Sequence, residues 1–446
     1  MIATRAASWR GWLVLGALAV AVSGCSSDAS TPGTPSTVAV GSATPTPVPI
    51  SLDVTPTDGS SGVGLDQPVT VSASNAVINT VKIEENGAPI SLGGTMSVND
   101  ELWQYQGGLA VDATYTVTAV ANNQEGSEAT ATATFSTITS AKRLLSTVEY
   151  LSNGQTVGVG MPIELRFNAD IPQAEQQNVI DHIAVVSSPA QPGGWHWFAP
   201  NEVHYRPESW WQPGTQVAVD AELNGVDAGN GYWGMGDWSL GFTVGAEHVT
   251  LVNTQTRIMR VYDGNPSAGG QLLHTWPTNT GKTGYYTING TLVVLYHSPV
   301  VKMQSCPTFE TYAACHPGGS EYYDENVYDD TAISSDGYFI HAAPWACGGN
   351  TCNLFTGGRA VNSSHGCVNL STVNAVTYYS WSLPGDVVEV SGSPLGASFS
   401  DGEGDWQTPW SDFVQGGQDV AAATPAASPS STASAGPSPA ATPTPA

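Results

Sequence analysis

Ser364-His365-Gly366-Cys367-Val368-Asn369, with His341 upstream in Phe339-Ile340-His341-Ala342-Ala343-Pro344-Trp345, holds a cysteine with no partner of its own in the sequence. A cysteine beside glycine, with a second histidine in reach of the fold, is the layout of a thiolate nucleophile and its base. The segment Ser371 to Trp381 that follows reads as a helix, opened by Ser371 as N-cap and ended at Pro384-Gly385. Cys367 therefore falls on a short loop between strand and helix, where a reactive side chain is exposed on a rigid frame.

A thiol of ordinary pKa, about 8.5, is mostly protonated at neutral pH and needs a base or a positive field. His365 sits only two residues from Cys367, an awkward spacing for a side-chain pair in one tight turn. His341 ends an apolar strand and approaches from across the site, so it is the candidate base and later acid. Its second ring nitrogen needs an acceptor, which a backbone carbonyl near Ala342 supplies. Gly366 leaves the backbone uncluttered, and the amides of His365, Gly366 and Cys367 are candidates for an oxyanion hole. Ser364 and Asn369 are candidates for lining the substrate site, chiefly by holding the loop with hydrogen bonds.

Around this loop the chain is β-rich. Val249-Thr250-Leu251-Val252, Arg257 to Tyr262, Thr291 to Leu295, Tyr338 to His341 and Asp386 to Val390 read as strands of one domain, 248–392. Upstream, two segments of about a hundred residues look alike. Gly62-Val63-Gly64 before Pro68-Val69-Thr70-Val71 matches Gly158-Val159-Gly160 before Pro162-Ile163-Glu164-Leu165, and Trp103-Gln104-Tyr105 matches Val203-His204-Tyr205. Short alternating runs broken by glycine, proline and asparagine suggest two immunoglobulin-like β-sandwiches, 50–140 and 141–247. The tryptophans of the second, Trp195, Trp197, Trp210, Trp211 and Trp233, read as packing anchors before sugar-binding platforms.

The ends differ in texture. Arg5 and Arg10 precede an apolar run from Trp12 to Val22, too short to span a bilayer comfortably. It ends in Val22-Ser23-Gly24-Cys25, which resembles the bacterial lipoprotein cleavage box, so 1–25 is expected to be an export signal and Cys25 the lipidated residue. Residues 26–49 and 421–446 are rich in serine, threonine, proline and alanine and read as a disordered tether and tail. The expected location is extracytoplasmic, lipid-anchored to the cell membrane and facing the cell wall. In such an oxidising compartment Cys306/Cys315 and Cys347/Cys352 are expected to form disulfides. His316, His341 and His365 lie among these cysteines without zinc-finger spacing, so neither a metal nor another cofactor is expected. With 38 acids against 12 bases among 446 residues, the net charge of −26 argues against nucleic acid as a partner.

The stretch 249–418 resembles the L,D-transpeptidase catalytic domain, whose signature is a histidine followed at a distance by Ser/Thr-His-Gly-Cys-hydrophobic-Asn. Ser364 to Asn369 meets every position, and His341 to Trp345 looks like the family's first-histidine strand. Two immunoglobulin-like modules behind a lipobox resemble the large actinobacterial members. Asp405-Trp406 and Pro409-Trp410 resemble the C-terminal segment, 393–420 here, that packs on the catalytic domain in those relatives. The resemblance implies a mainly β protein of two sandwiches and a β-rich catalytic domain with one or two short helices. It also implies 3→3 cross-linking of peptidoglycan stem peptides through a thioester at Cys367 with release of D-Ala, and acylation of that cysteine by carbapenems. Met303 and Tyr323 align with substrate-contacting positions of the family.

The chain departs from the family in two places. The segment between His341 and Ser364 is longer than usual and carries Cys347 and Cys352, and Ala342 stands where close relatives often have serine. A carbonyl acceptor for His341 survives that change. A papain-like hydrolase would place its cysteine before its histidine, the reverse of the order here. A carboxypeptidase or protein-to-wall attachment enzyme would use the same acyl-enzyme, and a non-catalytic surface scaffold would not need the intact Cys367 and His341.

Overall fold

The computed structural model describes residues 49–304, 322–348, 351–352, 354–356, 359–399, 404–414 and 419–420. Cys25, Cys306 and Cys315 lie outside the described residues, as do the expected signal, the tether up to residue 48 and the tail 421–446.

The alternating runs fold as strands. The first eight are β1 Ser51–Thr55, β2 Val69–Ser74, β3 Val77–Glu85, β4 Ala88–Ile90, β5 Thr95–Met96, β6 Leu102–Tyr105, β7 Thr114–Asn122 and β8 Glu128–Ser136. They form two four-stranded sheets, ordered β1-β2-β6-β5 and β4-β3-β7-β8. Along β7 the buried residues are Tyr115, Val117, Ala119 and Ala121, a period of two that turns one face to the core. Val69, Val71, Trp103 and Phe135 meet them there.

The second sandwich repeats the arrangement with β9 Lys142–Leu144, β10 Ser146–Glu149, β11 Gln155–Val157, β12 Ile163–Phe167, β13 Ile183–Ser188, β14 Gly193–Ala199, β15 Glu202–Pro207, β16 Gln216–Ala221, β17 Tyr232–Gly234 and β18 Trp238–Val244. Its sheets run β10-β12-β15-β14, which the C-terminal strand Asp419–Val420 extends beside β14, and β11-β18-β16-β13. The neighbours β12 and β15 stand where β2 and β6 stood, in line with the sequence repeat. Trp195 and Trp211 are fully buried, and the Trp211 indole donates to the Met161 carbonyl at 2.8 Å. Trp233 is buried too, and Trp197 and Trp210 pack against the core edge, so packing accounts for all five. The helix α1, Gln173–Asp181, was not expected. It follows Pro172, has no side-chain cap and buries only Val179 and Ile180.

The last domain comprises β19 His248–Asn253, β20 Ile258–Asp263, β21 Gln271–Pro277, β22 Gly290–Val293, β23 Tyr296–Gln304, β24 Asp324–Ala332, β25 Phe339–Ala342, β26 Leu354–Thr356, β27 Arg359–Val361, β28 Val368–Leu370, α2 Thr372–Trp381, β29 Val387–Ser391, α3 Trp410–Phe413 and β30 Asp419–Val420. Two sheets, β21-β20-β19-β29-β22 and β23-β24-β25-β28, enclose its core. As expected, α2 is capped by Ser371, whose hydroxyl accepts from the Asn374 amide. Together with α1 and α3, the described residues hold three α-helices.

The second sandwich and this domain share a core. Val249 and Val387 belong to the cluster that holds Val157, Met161 and Trp211. The amides of Gly158 and Gly160 donate to the carbonyls of Pro384 and Gly385 at 2.7 and 2.8 Å. A Cβ on Gly158 would come within 2.2 Å of the Asp386 backbone nitrogen, so the close approach requires glycine.

Candidate active site

Strands β25 and β28 run parallel, with Ile340 beside Val368, His341 beside Asn369 and Ala342 beside Leu370. Side chains alternate along a strand, so Phe339, His341, Cys367 and Asn369 share one face. Ile340, Ala342, Val368 and Leu370 take the other, where they pack with Ala375 and Tyr378 of α2. The helix thus backs the sheet and leaves the opposite face to the site. Cys367 rests there on a small cluster of Val293, Leu295, Ala332 and Phe339, which Met303 and Trp406 also touch.

His341 is buried, and its Nδ1 lies 2.9 Å from the Ala342 carbonyl. That contact places the ring proton on Nδ1 and leaves Nε2 as an acceptor. Burial disfavours the imidazolium and pushes its pKa down to about 4, against a smaller upward pull from the Ala342 carbonyl. Cys367 is half-buried, with its sulfur 3.8 Å from the Gly337 carbonyl. Desolvation pushes the thiol up to about 12; the Phe339 amide opposes this and the charge of Asp330 adds to it. The resting pair is thus neutral thiol and neutral imidazole.

The loop that presents Cys367 is held from several sides. The Ser364 hydroxyl donates to the Cys367 carbonyl at 2.6 Å and accepts from the Gly366 amide at 3.2 Å. The Gly366 amide, one of the expected oxyanion donors, is therefore engaged within the loop. Gly366 itself has φ +130°, and a Cβ there would meet the Tyr338 ring at 2.7 Å. Asn369 exchanges backbone hydrogen bonds with Asn279 at 2.7 and 3.1 Å. Ser364 thus holds the loop through its hydroxyl and Asn369 through its backbone. Met303 reaches the cluster under Cys367, and the Tyr323 ring lies 4.9 Å from His365, whose other side meets Tyr285 at 4.7 Å. Burial first, then the nearby Cys367 and Tyr285, push the Tyr323 phenol up to about 12.

Sequence reasoning missed the cradle beneath this loop. Thr278, Asn279, Thr280 and Thr287 are buried. Thr287 donates to the Gly366 carbonyl at 2.6 Å, Thr278 donates to the Asn369 carbonyl at 2.8 Å, and the Ser364 amide donates to Thr280. A polar run between two strands reads as a surface loop, and its burial depends on partners some eighty residues away.

Cys347 and Cys352 form a disulfide whose sulfurs lie 3.5 and 3.7 Å from the Asn369 carbonyl. It closes a short loop behind the strand that carries the site. Replacing both cysteines by alanine is expected to lower stability by about 2 kcal/mol, the loop-closure entropy of so short a ring. Thermal melting of the double variant beside wild type checks this, and an unchanged midpoint would contradict it.

Comparison with known proteins gives the family of the chain. Residues 60–227 match the family model of a bacterial Ig domain and residues 247–390 that of the L,D-transpeptidase catalytic domain. L,D-transpeptidase 2 of Mycobacterium tuberculosis is 33% identical over 82% of this chain and 84% of its own. L,D-transpeptidase 5 of the same species is 30% identical over 83% of this chain and 77% of its own. Among solved structures, that of L,D-transpeptidase 3 from Mycobacterium tuberculosis at 1.32 Å is 25% identical, covering 54% of this chain and 96% of that one, at a TM-score of 0.39. The chain belongs to the L,D-transpeptidase family, in the form that carries immunoglobulin-like domains ahead of the catalytic domain.

Proposed function

We propose that the protein forms 3→3 peptidoglycan cross-links with Cys367 as nucleophile and His341 as its base. The observation that carries this is the lock of His341 Nδ1 on the Ala342 carbonyl, which leaves Nε2 as an acceptor, together with the register that sets His341 and Cys367 on one face of neighbouring strands. His341 takes the thiol proton as sulfur attacks the carbonyl between the diamino acid and D-Ala of a tetrapeptide stem. Amides of the loop at His365 and Cys367 meet the developing oxyanion. The proton then passes to the departing D-Ala nitrogen, which leaves a thioester on Cys367. A side-chain amine of a neighbouring stem attacks the thioester, His341 receives its proton, and the sulfur is restored as thiol. Carbapenems acylate the same sulfur in this reading, and Met303 and Tyr323 flank the donor stem.

The lipobox-like Val22-Ser23-Gly24-Cys25 supports a lipid anchor at Cys25 on the outer face of the cell membrane, with the sandwiches as spacers toward the wall. Incubation of the purified protein with disaccharide-tetrapeptide and mass analysis of the products tests the activity. Cross-linked dimer with stoichiometric D-Ala is the expected result. Tripeptide without dimer would replace transpeptidation by a carboxypeptidase activity, and no product at all from a folded protein would favour the scaffold.

A further inference from the structure

Asp330 lies one strand beyond His341 on the face that carries the site. Strand β24 pairs antiparallel with β25, Ala332 beside Phe339 and Thr331 beside Ile340. Ala332 joins Phe339 and Cys367 in one cluster, and alternation puts Asp330, two residues earlier, on that same side. The Asp330 side chain is wholly buried, and neither carboxylate oxygen has a partner in full hydrogen-bond geometry, the Val301 amide approaching without completing a bond. A buried carboxylate without partners costs several kcal/mol as the anion, so a protein retains one there only if its surroundings favour the acid or use the charge.

The groups around it are few. Tyr296 of β23, whose ring meets Phe339 at 6.3 Å, feels the Asp330 charge, as does Cys367. Asp329, next to it in the strand, adds a charge of the same sign, and His341 lies on the neighbouring strand. His297 pairs with Thr331 but turns its ring to Ser382 and Tyr379 of the α2 side. Tyr296 and Cys367 are neutral near pH 7, and so is the desolvated His341. Asp330 is thus the member of this group poised to change charge there: burial pushes it up to about 7, with the Val301 amide opposing and Asp329 reinforcing.

We propose that Asp330 is a positioning residue of the acyl-transfer site, whose change of charge governs how readily Cys367 surrenders its proton. As the anion it opposes a second negative charge on the sulfur across the shared cluster. As the neutral acid it lifts that opposition. The resting thiol of an exported protein is thereby kept from the thiolate form that oxidises. The inference rests on the reading of Cys367 as the nucleophile.

Alkylation of Cys367 by iodoacetamide, followed between pH 5 and 9 on the Cys367 peptide by mass spectrometry, tests the proposal. Wild type is expected to show a slowing near pH 7 superposed on the rise from thiol ionisation. D330N keeps the shape without the charge; it should lose that inflexion and react about threefold or more faster above pH 7. D330S serves if the asparagine variant fails to fold. Coincident profiles for variant and wild type would overturn the proposal, and so would a slower variant, which would mean that the carboxylate serves the imidazolium. Alkylation needs no substrate, so absence of stem-peptide turnover in wild type would sink the transpeptidase reading and leave this measurement intact.

Discussion

Cys367→Ala is expected to abolish every covalent adduct with a carbapenem, and His341→Ala to slow adduct formation by about 10²–10⁴-fold, the usual contribution of a positioned base. In the proposed mechanism the two effects differ because the sulfur would be the bond-forming atom, whereas solvent can replace the base poorly but measurably. The pH dependence follows from the two shifts. His341 must be neutral to accept the thiol proton, and its pKa is pushed down to about 4 by burial. The acid limb of acylation should therefore lie near pH 4, well below the range of an ordinary histidine. Cys367 is pushed up to about 12, so no preformed thiolate exists at neutral pH and the proton moves as the carbon–sulfur bond forms. Intact mass measured against time from pH 4 to 9 checks both points. An acid limb near 6.5 would mean that the imidazole is solvated and that the neutral-pair description is wrong.

The parts of this site that were legible in the sequence are local. Ser364 to Asn369 is one contiguous stretch, though Cys367 leads into the strand β28 and not directly into the helix, Phe339 to Ala342 is one apolar strand, and Ser371 is a cap adjacent to its own helix. The repeat was legible because β2 and β12 keep their glycine-proline approach, and β6 and β15 their aromatic ends. Helix α1 escaped because it is glutamine-rich, lacks a capping side chain and presents only two buried residues to the core. The cradle of Thr278 to Thr287 and the carboxylate of Asp330 escaped for another reason. Their meaning depends on partners far away in the chain, and a polar residue shows nothing of its burial until the sheets are assembled. Even so, the second ring nitrogen of His341 was placed correctly, since Ala342 leaves a backbone carbonyl as the available acceptor at that position.

Replacing Arg206 by methionine is expected to loosen the segment 404–414 from the second sandwich and to cost about 3–5 kcal/mol, as for other broken buried charges. The guanidinium is buried and donates to the carbonyls of Asp405 and Thr408, each at 2.9 Å, while its face packs under Trp406, Trp410 and Phe413 at 4.3–5.2 Å. Beside it His204 stands between Asp405, 3.0 Å from Nδ1, and Glu202, 3.2 Å from Nε2, with Glu202 in turn paired to Arg166. Glu164, His204 and Asp405 lie close together, and both ring nitrogens of His204 are already engaged, by Asp405 and by Glu202. Burial alone would lower the His204 pKa, yet the charges of Asp405 and Glu164 outweigh it and raise the group well above its ordinary value. Burial raises Glu164 to about 8. Both groups bind protons more tightly folded than unfolded. Their stabilisation is therefore complete at low pH and falls as pH rises through their folded values. Trp406 donates to the Gly160 carbonyl at 2.8 Å and packs on the cluster beneath Cys367, so release of the segment removes a wall of the site. Amide hydrogen exchange across 404–414 should accelerate in Arg206→Met at pH 6, and in wild type between pH 7 and 9, together with slower acylation of Cys367 in the variant. Exchange that stays at the wild-type, pH 6 level in both would show that Trp406, Trp410 and Phe413 hold the segment by apolar packing alone, with the buried charges contributing nothing to its attachment.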